Sequence, residues 1–343
     1  MRYIRQEVFS EIGKKGQQNL SQSTVAIIGL GALGSVSAEL LTRAGIGKLI
    51  LVDRDIVELP NLQRQNLYEE KDVGKPKALA AKEHLKTINN EVKFEVFADD
   101  LNHKNIDQLI PIKKSIDDKN KINDKKNKVI LVLDCTDNLE TRFLINDFCI
   151  KNKISFIYSS AVGSKGYIFN VIPSKNDPCI RCFLKEAMQL DTCETFGVLN
   201  TITNLISSIQ VNEAVKIILK KSNIEKNLLF FDVWKNELSK IKINKNKNCN
   251  CCAKNNFEYL DGKKFSKAAK MCGDSIFQIK TKSINSKQFM ELKNKLKKNG
   301  KVIDFGYCVN FDDKITIFKD GRALIKAKDD NEAKSLYSKF VGN

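Results

Sequence analysis

The stretch Thr24-Val25-Ala26-Ile27-Ile28-Gly29-Leu30-Gly31-Ala32-Leu33-Gly34 decides how the rest of the chain is read. A short apolar run, the signature of a buried strand, meets a glycine-rich turn, and Ser35 to Arg43 then carries a helical pattern. Gly29, Gly31 and Gly34 have the G-x-G-x-x-G spacing in the strand–turn–helix context that this fingerprint requires. Such glycines let the backbone approach a phosphate, and the helix N-terminus turns N–H donors and a positive dipole toward it. Asp53 closes the next apolar run, Lys48 to Asp53, where a carboxylate can accept from ribose hydroxyls.

Outward from this unit the pattern repeats. Gly74 to Asn89 reads as a helix with Pro near its start, Val92 to Phe97 as a strand, and Val129 to Asp134 as a second buried strand. Asn138 to Lys151 reads as a helix and Ile154 to Ser159 as a strand. Alternating strands and helices with near-continuous apolar strands imply an α/β fold with a doubly wound, Rossmann-like, mostly parallel sheet. Residues 1–20 read as a helical lead-in, and 111–128 as a charged, low-complexity surface loop. The expected division is 1–256 for the nucleotide domain, its nucleotide site within 24–138, and 257–343 for a small α/β appendage. In the appendage, Asp320-Gly321 marks a hairpin between 314–318 and 322–326, and 330–340 a closing amphipathic helix.

The 343 residues are 42% hydrophobic and 29% charged, as in a soluble globular protein. No apolar run spans a membrane, and residues 1–7 hold no signal core, so a cytoplasmic location is expected. The net charge of +17 comes mostly from dispersed Lys. With no cluster of Lys/Arg and interleaved aromatics, it argues for solubility and for steering an acidic protein partner, and against nucleic acid.

The fingerprint alone fits NAD. Asn61-Leu62-Gln63-Arg64-Gln65 and Gly74-Lys75-Pro76-Lys77 instead put Arg64 and Lys77 near the mouth of the same pocket. Cations there suit a triphosphate attacked at its α-phosphorus, because the departing pyrophosphate must be held. Asp137, beyond the carboxyl end of its strand, is placed to hold Mg²⁺, while Asp137 or Asn138 could simply cap the following helix.

These segments resemble ThiF/MoeB/HesA-type adenylyltransferases and the adenylation half of ubiquitin-activating enzymes. The matches are R-Y-I-R-Q at 2–6, G-L-G-A-L-G at 29–34, V-D-R-D at 52–55, N-L-Q-R-Q at 61–65 and G-K-P-K at 74–77. They continue with D-C-T-D-N at 134–138, C-I-R-C at 179–182 and T-C-E-T-F-G-V at 192–198, and cover residues 1–252. The resemblance implies an ATP and Mg²⁺ site built from Gly29, Gly31, Gly34, Asp53, Asp55, Asn61, Arg64, Gln65, Lys77, Asp137 and Asn138. It also implies a homodimer in which Arg5 reaches the partner's ATP. The implied reaction is adenylylation of the C-terminal Gly carboxylate of a ubiquitin-like sulfur-carrier protein ending in Gly-Gly, with a separate protein as sulfur donor. Thiamine, molybdopterin and thiolation pathways stay open.

Ten cysteines in a reducing compartment point to metal or redox chemistry. Cys179/Cys182 and Cys249/Cys252 form two C-x-x-C pairs, the donor set of a closed, structural Zn²⁺ site. The resemblance predicts that the fold brings them together. Cys193 falls on a family loop that in some members bonds covalently to the carrier and in others is dispensable. Cys135 and Cys149 read as buried apolar residues. A relative that activates and cyclises a carboxylate on modified tRNA is the alternative, disfavoured by the two pairs. A non-catalytic scaffold would need a broken ATP site, and a dehydrogenase would not need Arg64, Lys77 and Asp137.

Overall fold

The computed structural model describes residues 2–112, 128–185, 196–264, 276–280, 284–306, 308–319 and 321–342. Residues 113–127 of the charged loop expected over 111–128, and Cys193, therefore lie outside the described residues. The chain forms two compact units, Met1–Phe265 and Ser266–Asn343.

In the first unit, helices α1 (Ile4–Val8) and α2 (Gly13–Ser21) lead into β1 (Thr24–Ile28), α3 (Ala32–Ala44) and β2 (Lys48–Val52). Then come α4 (Lys77–Ile88), β3 (Lys93–Phe97), the short α5 (Ile106–Leu109), β4 (Val129–Asp134), α6 (Leu139–Asn152) and β5 (Ser155–Val162). The unit continues with β6 (Lys165–Val171), α7 (Asn200–Ile218), β7 (Leu228–Asp232) and β8 (Glu237–Ile241). The eight strands form one sheet in the order β3-β2-β1-β4-β5-β6-β7-β8. β3 through β5 pair in parallel, and β6, β7 and β8 add on antiparallel. The mostly parallel Rossmann-like sheet expected from the sequence is present.

Why the strands read as continuous apolar runs is visible in their burial. All of β1 is buried. Ala26, Ile28, Ile50, Val52 and Val132 face one core together with Phe143, Phe148 and the zinc-type cysteines. The alternate residues Val25, Ile27, Leu49 and Leu51 are equally buried on the other face. With two covered faces, alternation disappears.

The chain runs β1 to β2 to β3 in one direction and then crosses to β4 on the other side of β1. This is the switch point at which doubly wound sheets leave a crevice beyond their carboxyl ends. The glycine turn sits in it. Gly29 has φ +86, and a Cβ there would lie 2.7 Å from the Cys135 carbonyl oxygen; a Cβ on Gly34 would lie 1.8 Å from the Gly29 oxygen. Gly31 differs, since its added Cβ would meet nothing nearer than Gln65 Nε2 at 3.8 Å.

The second unit contains β9 (Ile276–Lys280), α8 (Ser286–Lys297), β10 (Val302–Asp304), β11 (Cys308–Phe311), β12 (Ile315–Phe318), β13 (Arg322–Lys326) and α9 (Asp330–Phe340). Its antiparallel sheet has the order β10-β11-β12-β13-β9. β12 and β13, expected as a hairpin, pair antiparallel; Asp320 of the expected turn lies outside the described residues, and the closing helix is α9. Phe289, Leu292 and Leu296 of α8 and Ala333 and Tyr337 of α9 cover Val309, Phe311, Ile315, Ile317, Ala323 and Ile325. Among the described residues no helix is long and apolar enough to cross a membrane.

Gly34→Ala should destabilise the fold by about 3 kcal/mol or more, because rigid backbone meets the new methyl. Gly31→Ala should stay within about 1 kcal/mol of the parent. Urea unfolding of the two variants checks this contrast.

Candidate functional site

The crevice is built from loop ends. Gly29 N–H donates to Val52 O and Cys135 N–H to Ile28 O, both at 2.9 Å, so the ends of β2, β1 and β4 lie level. Asp53 is buried just beyond β2 and accepts from Leu30 N at 2.6 Å and Asp55 N at 2.7 Å. One carboxylate thus fixes both the glycine turn and the loop after it. Burial, and then the charge of Asp55, push the Asp53 carboxyl up to about 6, although Lys77 and the two N–H donors oppose this.

Lys77 is 6% exposed and lies 3.3 Å from Asp55 Oδ2. Burial disfavours its charge, but Asp55, Asp53 and Asp137 together outweigh that and hold its pKa above the usual lysine value. It begins α4, which starts later than the sequence suggested. Gly74 has φ +88 and lies in a turn, and Pro76 forms a bridge with Ile56, so 74–76 stay outside the helix. The preceding turn hangs on Asp72, which takes Lys75 at 3.1 Å and His84 at 2.7 Å. The Tyr68 hydroxyl lies 2.8 Å from Leu30 O and 3.3 Å from Lys77 O, between the two loops.

Asn61 and Gln65 lie side by side, Gln65 Nε2 donating to Asn61 Oδ1 at 2.5 Å. Gln65 Oε1 is buried without a partner among the described residues, and Gln65 borders the open side of Gly31. Arg64 donates to Pro60 O at 2.9 Å and pairs with no carboxylate among the described residues. Past β4, Asp134 Oδ1 accepts from Thr136 N and Oγ1, while its Oδ2 is buried without a partner among the described residues. Asp137 is exposed. Asn138 caps α6 by accepting from Thr141 N at 2.8 Å. The two readings of this segment thus divide: Asn138 is the cap and Asp137 is left over for a ligand. Cys135 is no nucleophile, because burial, with the Asp134 charge, pushes its thiol up to about 12. Arg5 stands exposed on α1, away from any acidic partner in its own chain among the described residues.

Sequence reasoning passed over Arg54. It pairs with Asp100 at 3.1 Å and Asp55 at 3.7 Å, and Asp137 is among the charges that raise its pKa against burial. Its signal was its place inside V-D-R-D, between the two carboxylates. Arg54, Lys77, Asp53, Asp55 and Asp137 form one electrostatic cluster at the switch point.

The cysteine pairs do meet. The sulfurs of Cys179, Cys182, Cys249 and Cys252 all lie within 4.8 Å of one another. Cys179–Cys249 is 3.7 Å and Cys182–Cys252 is 3.5 Å. A tetrahedron of Zn–S bonds of about 2.3 Å has edges of roughly 3.8 Å, so the donor set and its spacing fit zinc. Cys251, between the second pair, accepts instead from Asn146 Nδ2 at 3.1 Å.

Fold and site together define a doubly wound α/β protein with a cluster of cations and carboxylates at its switch point and a zinc-type cluster of four cysteines. Residues 3–253 match the ThiF family, and the chain belongs to it. It is 38% identical over 352 residues to the sulfur carrier protein ThiS adenylyltransferase of Bacillus subtilis, covering 99% of both chains. The ThiS adenylyltransferase of Escherichia coli is 31% identical over 75% of this chain and 96% of its own. The SAMP-activating enzyme E1 of Haloferax volcanii is 30% identical over 76% of this chain and 91% of its own. Among solved structures, E. coli MccB with succinimide superposes with a TM-score of 0.61 at 19% identity over 74% of each chain, a likeness of fold. The protein is an enzyme of the adenylyltransferase class.

The raised Asp53 pKa gives a signed pH prediction. From the ordinary value of 3.8 up to about 6 the folded protein holds a proton that the unfolded chain has released. Asp53 therefore favours folding at low pH, and this contribution is lost as pH rises through about 6. Its acceptor function runs the opposite way, since the charged form makes the stronger hydrogen bonds. ATP-dependent kcat/KM should show an acid limb near pH 6 that Asp53→Asn lacks, and a limb near pH 4 would contradict the assignment.

Proposed function

We propose that this enzyme adenylylates the C-terminal glycine carboxylate of a small ubiquitin-like sulfur-carrier protein. The observation that carries the reading is the cluster of Lys77, Arg54 and Asp137 at the switch point that also holds the glycine turn. Cations there serve a triphosphate that loses pyrophosphate, and the named relatives that act on such carriers support the choice of substrate.

A carrier carboxylate oxygen attacks the α-phosphorus, an acyl–phosphate bond forms, and the α–β bond breaks with its electron pair leaving on pyrophosphate. No base is required, because a carboxylate is ionised at neutral pH. His84 is in any case committed to Asp72. The glycine turn and the α3 N-terminus cradle phosphate, Asp53 holds the ribose, and Asn61 and Gln65 line the open side of Gly31. Lys77, Arg54 and Arg64 offset charge on the departing pyrophosphate, so positioning and electrostatics carry the rate. Asp137 would hold Mg²⁺, which neutralises phosphate charge when bound. In a homodimer Arg5 would add a cation to the second ATP site, and Ile4, Val8 and Phe9, all exposed around it, would be covered there. Phe196, Leu199 and Trp234 are likewise exposed. Gly163 pairs with Val198 and Ser164 O accepts from Val233 N, so all three lie near the β5–β6 turn, where they would form an apolar seat for the carrier. Adenylylation does not draw on Cys193.

The test is ATP–pyrophosphate exchange with Gly-Gly-ended carriers from the same source. Exchange should require a carrier, and Arg64→Ala, Lys77→Ala and Asp137→Ala should each lower it about 100-fold or more. Absence of exchange with every such carrier, alongside ATP turnover on modified tRNA, would transfer the assignment to the tRNA-modifying class.

A further inference from the structure

Two polar side chains sit where the core beside the cysteine cluster should be apolar. Asn146 and Asp147 are adjacent on α6 and both fully buried. Asn146 Oδ1 accepts from Ile180 N at 3.2 Å, inside the first cysteine knuckle. Its Nδ2 donates to Cys251 Sγ at 3.1 Å, inside the second. Asp147 Oδ1 accepts from Arg181 Nη1 at 3.2 Å, again in the first knuckle. Its Oδ2 accepts from Tyr259 N at 3.0 Å, in the chain that follows the second. Arg181 also reaches Glu258 Oε2 at 2.6 Å. Its guanidinium lies 5.2 Å from the Tyr259 ring centre and 5.8 Å from that of Phe143.

Asn146 therefore bridges the knuckles directly, Asp147 ties the first to the segment that follows the second, and neither belongs to the four-sulfur cluster. A buried ion pair is a poor way to gain stability, since apolar residues of the same volume often do as well. It is a good way to fix relative position. The knuckles are remote in sequence, and metal leaves such a site when one pair of thiolates opens before it can close again. Holding the free pair beside the other raises its effective concentration and favours reclosure. We propose that Asn146 and Asp147 are positioning residues that latch both knuckles to α6, so that zinc retention depends on this latch as well as on the four thiolates.

The proposal rests on the zinc reading of the four-cysteine cluster, and one experiment separates the two. Zinc content of the purified full-length protein is measured first; less than one zinc per chain would remove the zinc reading itself. Zinc transfer to a chromogenic chelator is then timed for the parent, Asp147→Asn, Glu258→Gln and Leu49→Ala. Leu49 is buried in β2 on the other face of the sheet and serves as a control for general loss of stability. Transfer should be at least tenfold faster for Asp147→Asn than for the parent, as is usual when groups supporting metal ligands are lost. Glu258 is part-exposed, so its variant keeps the test alive if Asp147→Asn does not fold; it should release zinc severalfold faster. Release no faster than from Leu49→Ala in whichever of these variants folds would overturn the latch.

Discussion

Two backbone hydrogen bonds, Gly29 N–H to Val52 O and Cys135 N–H to Ile28 O, hold the carboxyl ends of three parallel strands level. The site follows from that alignment. It brings the glycine turn, Asp53 and the Asp134–Asn138 segment to one crevice, although they are separated in sequence by α3 and α4. It also explains why the turn admits no side chain at Gly29 or Gly34. The backbone there is pressed against the next strand's end and against itself, while Gly31, of the three, faces open space.

Charge is then distributed so that the crevice is polar but close to balanced. Asp53 and Asp55 lie beside each other, and their mutual repulsion is relieved by Lys77, which tolerates burial only because three carboxylates face it. An incoming triphosphate brings new negative charge to Lys77 and Arg54, whose partners Asp55 and Asp100 must then share them. Divalent cation at the exposed Asp137 would restore the balance, which is the physical case for pairing the nucleotide with a metal here. The Asp72–Lys75–His84 turn and Tyr68 act one layer out, setting where the main chain presents Lys77.

Much of this was legible in the sequence, and the residues show why. β1, β2 and β4 were readable because both faces are covered, leaving uninterrupted apolar runs bounded by Gly and Asp. That Asp53, Asp55, Lys77 and Asp137 come together was readable because they sit in short motifs at strand ends. The strands β6 to β8 and helix α7 were not readable. β8 is exposed at every position, so no hydrophobic pattern marks it. α7 buries Thr203, Ser207, Gln210 and Glu213 among its apolar residues, which blurs the helical period; Gln210 alone bonds to Ser37, Ser159 and main chain of β5. α8 carried an Asn285–Gln288 capping box that was overlooked. Arg54, Asn146 and Asp147 act only through partners distant in sequence, and no local motif announces such residues.

The second unit is set apart by the lengths of the relatives. The B. subtilis protein matches along 99% of this chain, whereas the E. coli protein of the same name matches three quarters of it while using 96% of its own length. The family match ends at residue 253, before the second unit begins. The E. coli protein, matched over 96% of its own length, leaves no room for a counterpart of 266–343. The sheet of the second unit nevertheless carries buried side chains on both faces. One packs on α8 and α9, and the other buries Cys308, Asn310, Thr316, Phe318 and Arg322, with the Arg322 guanidinium 4.3 Å from the centre of the Phe318 ring. With its own apolar core between sheet and helices, the unit is a folded domain and not a tail.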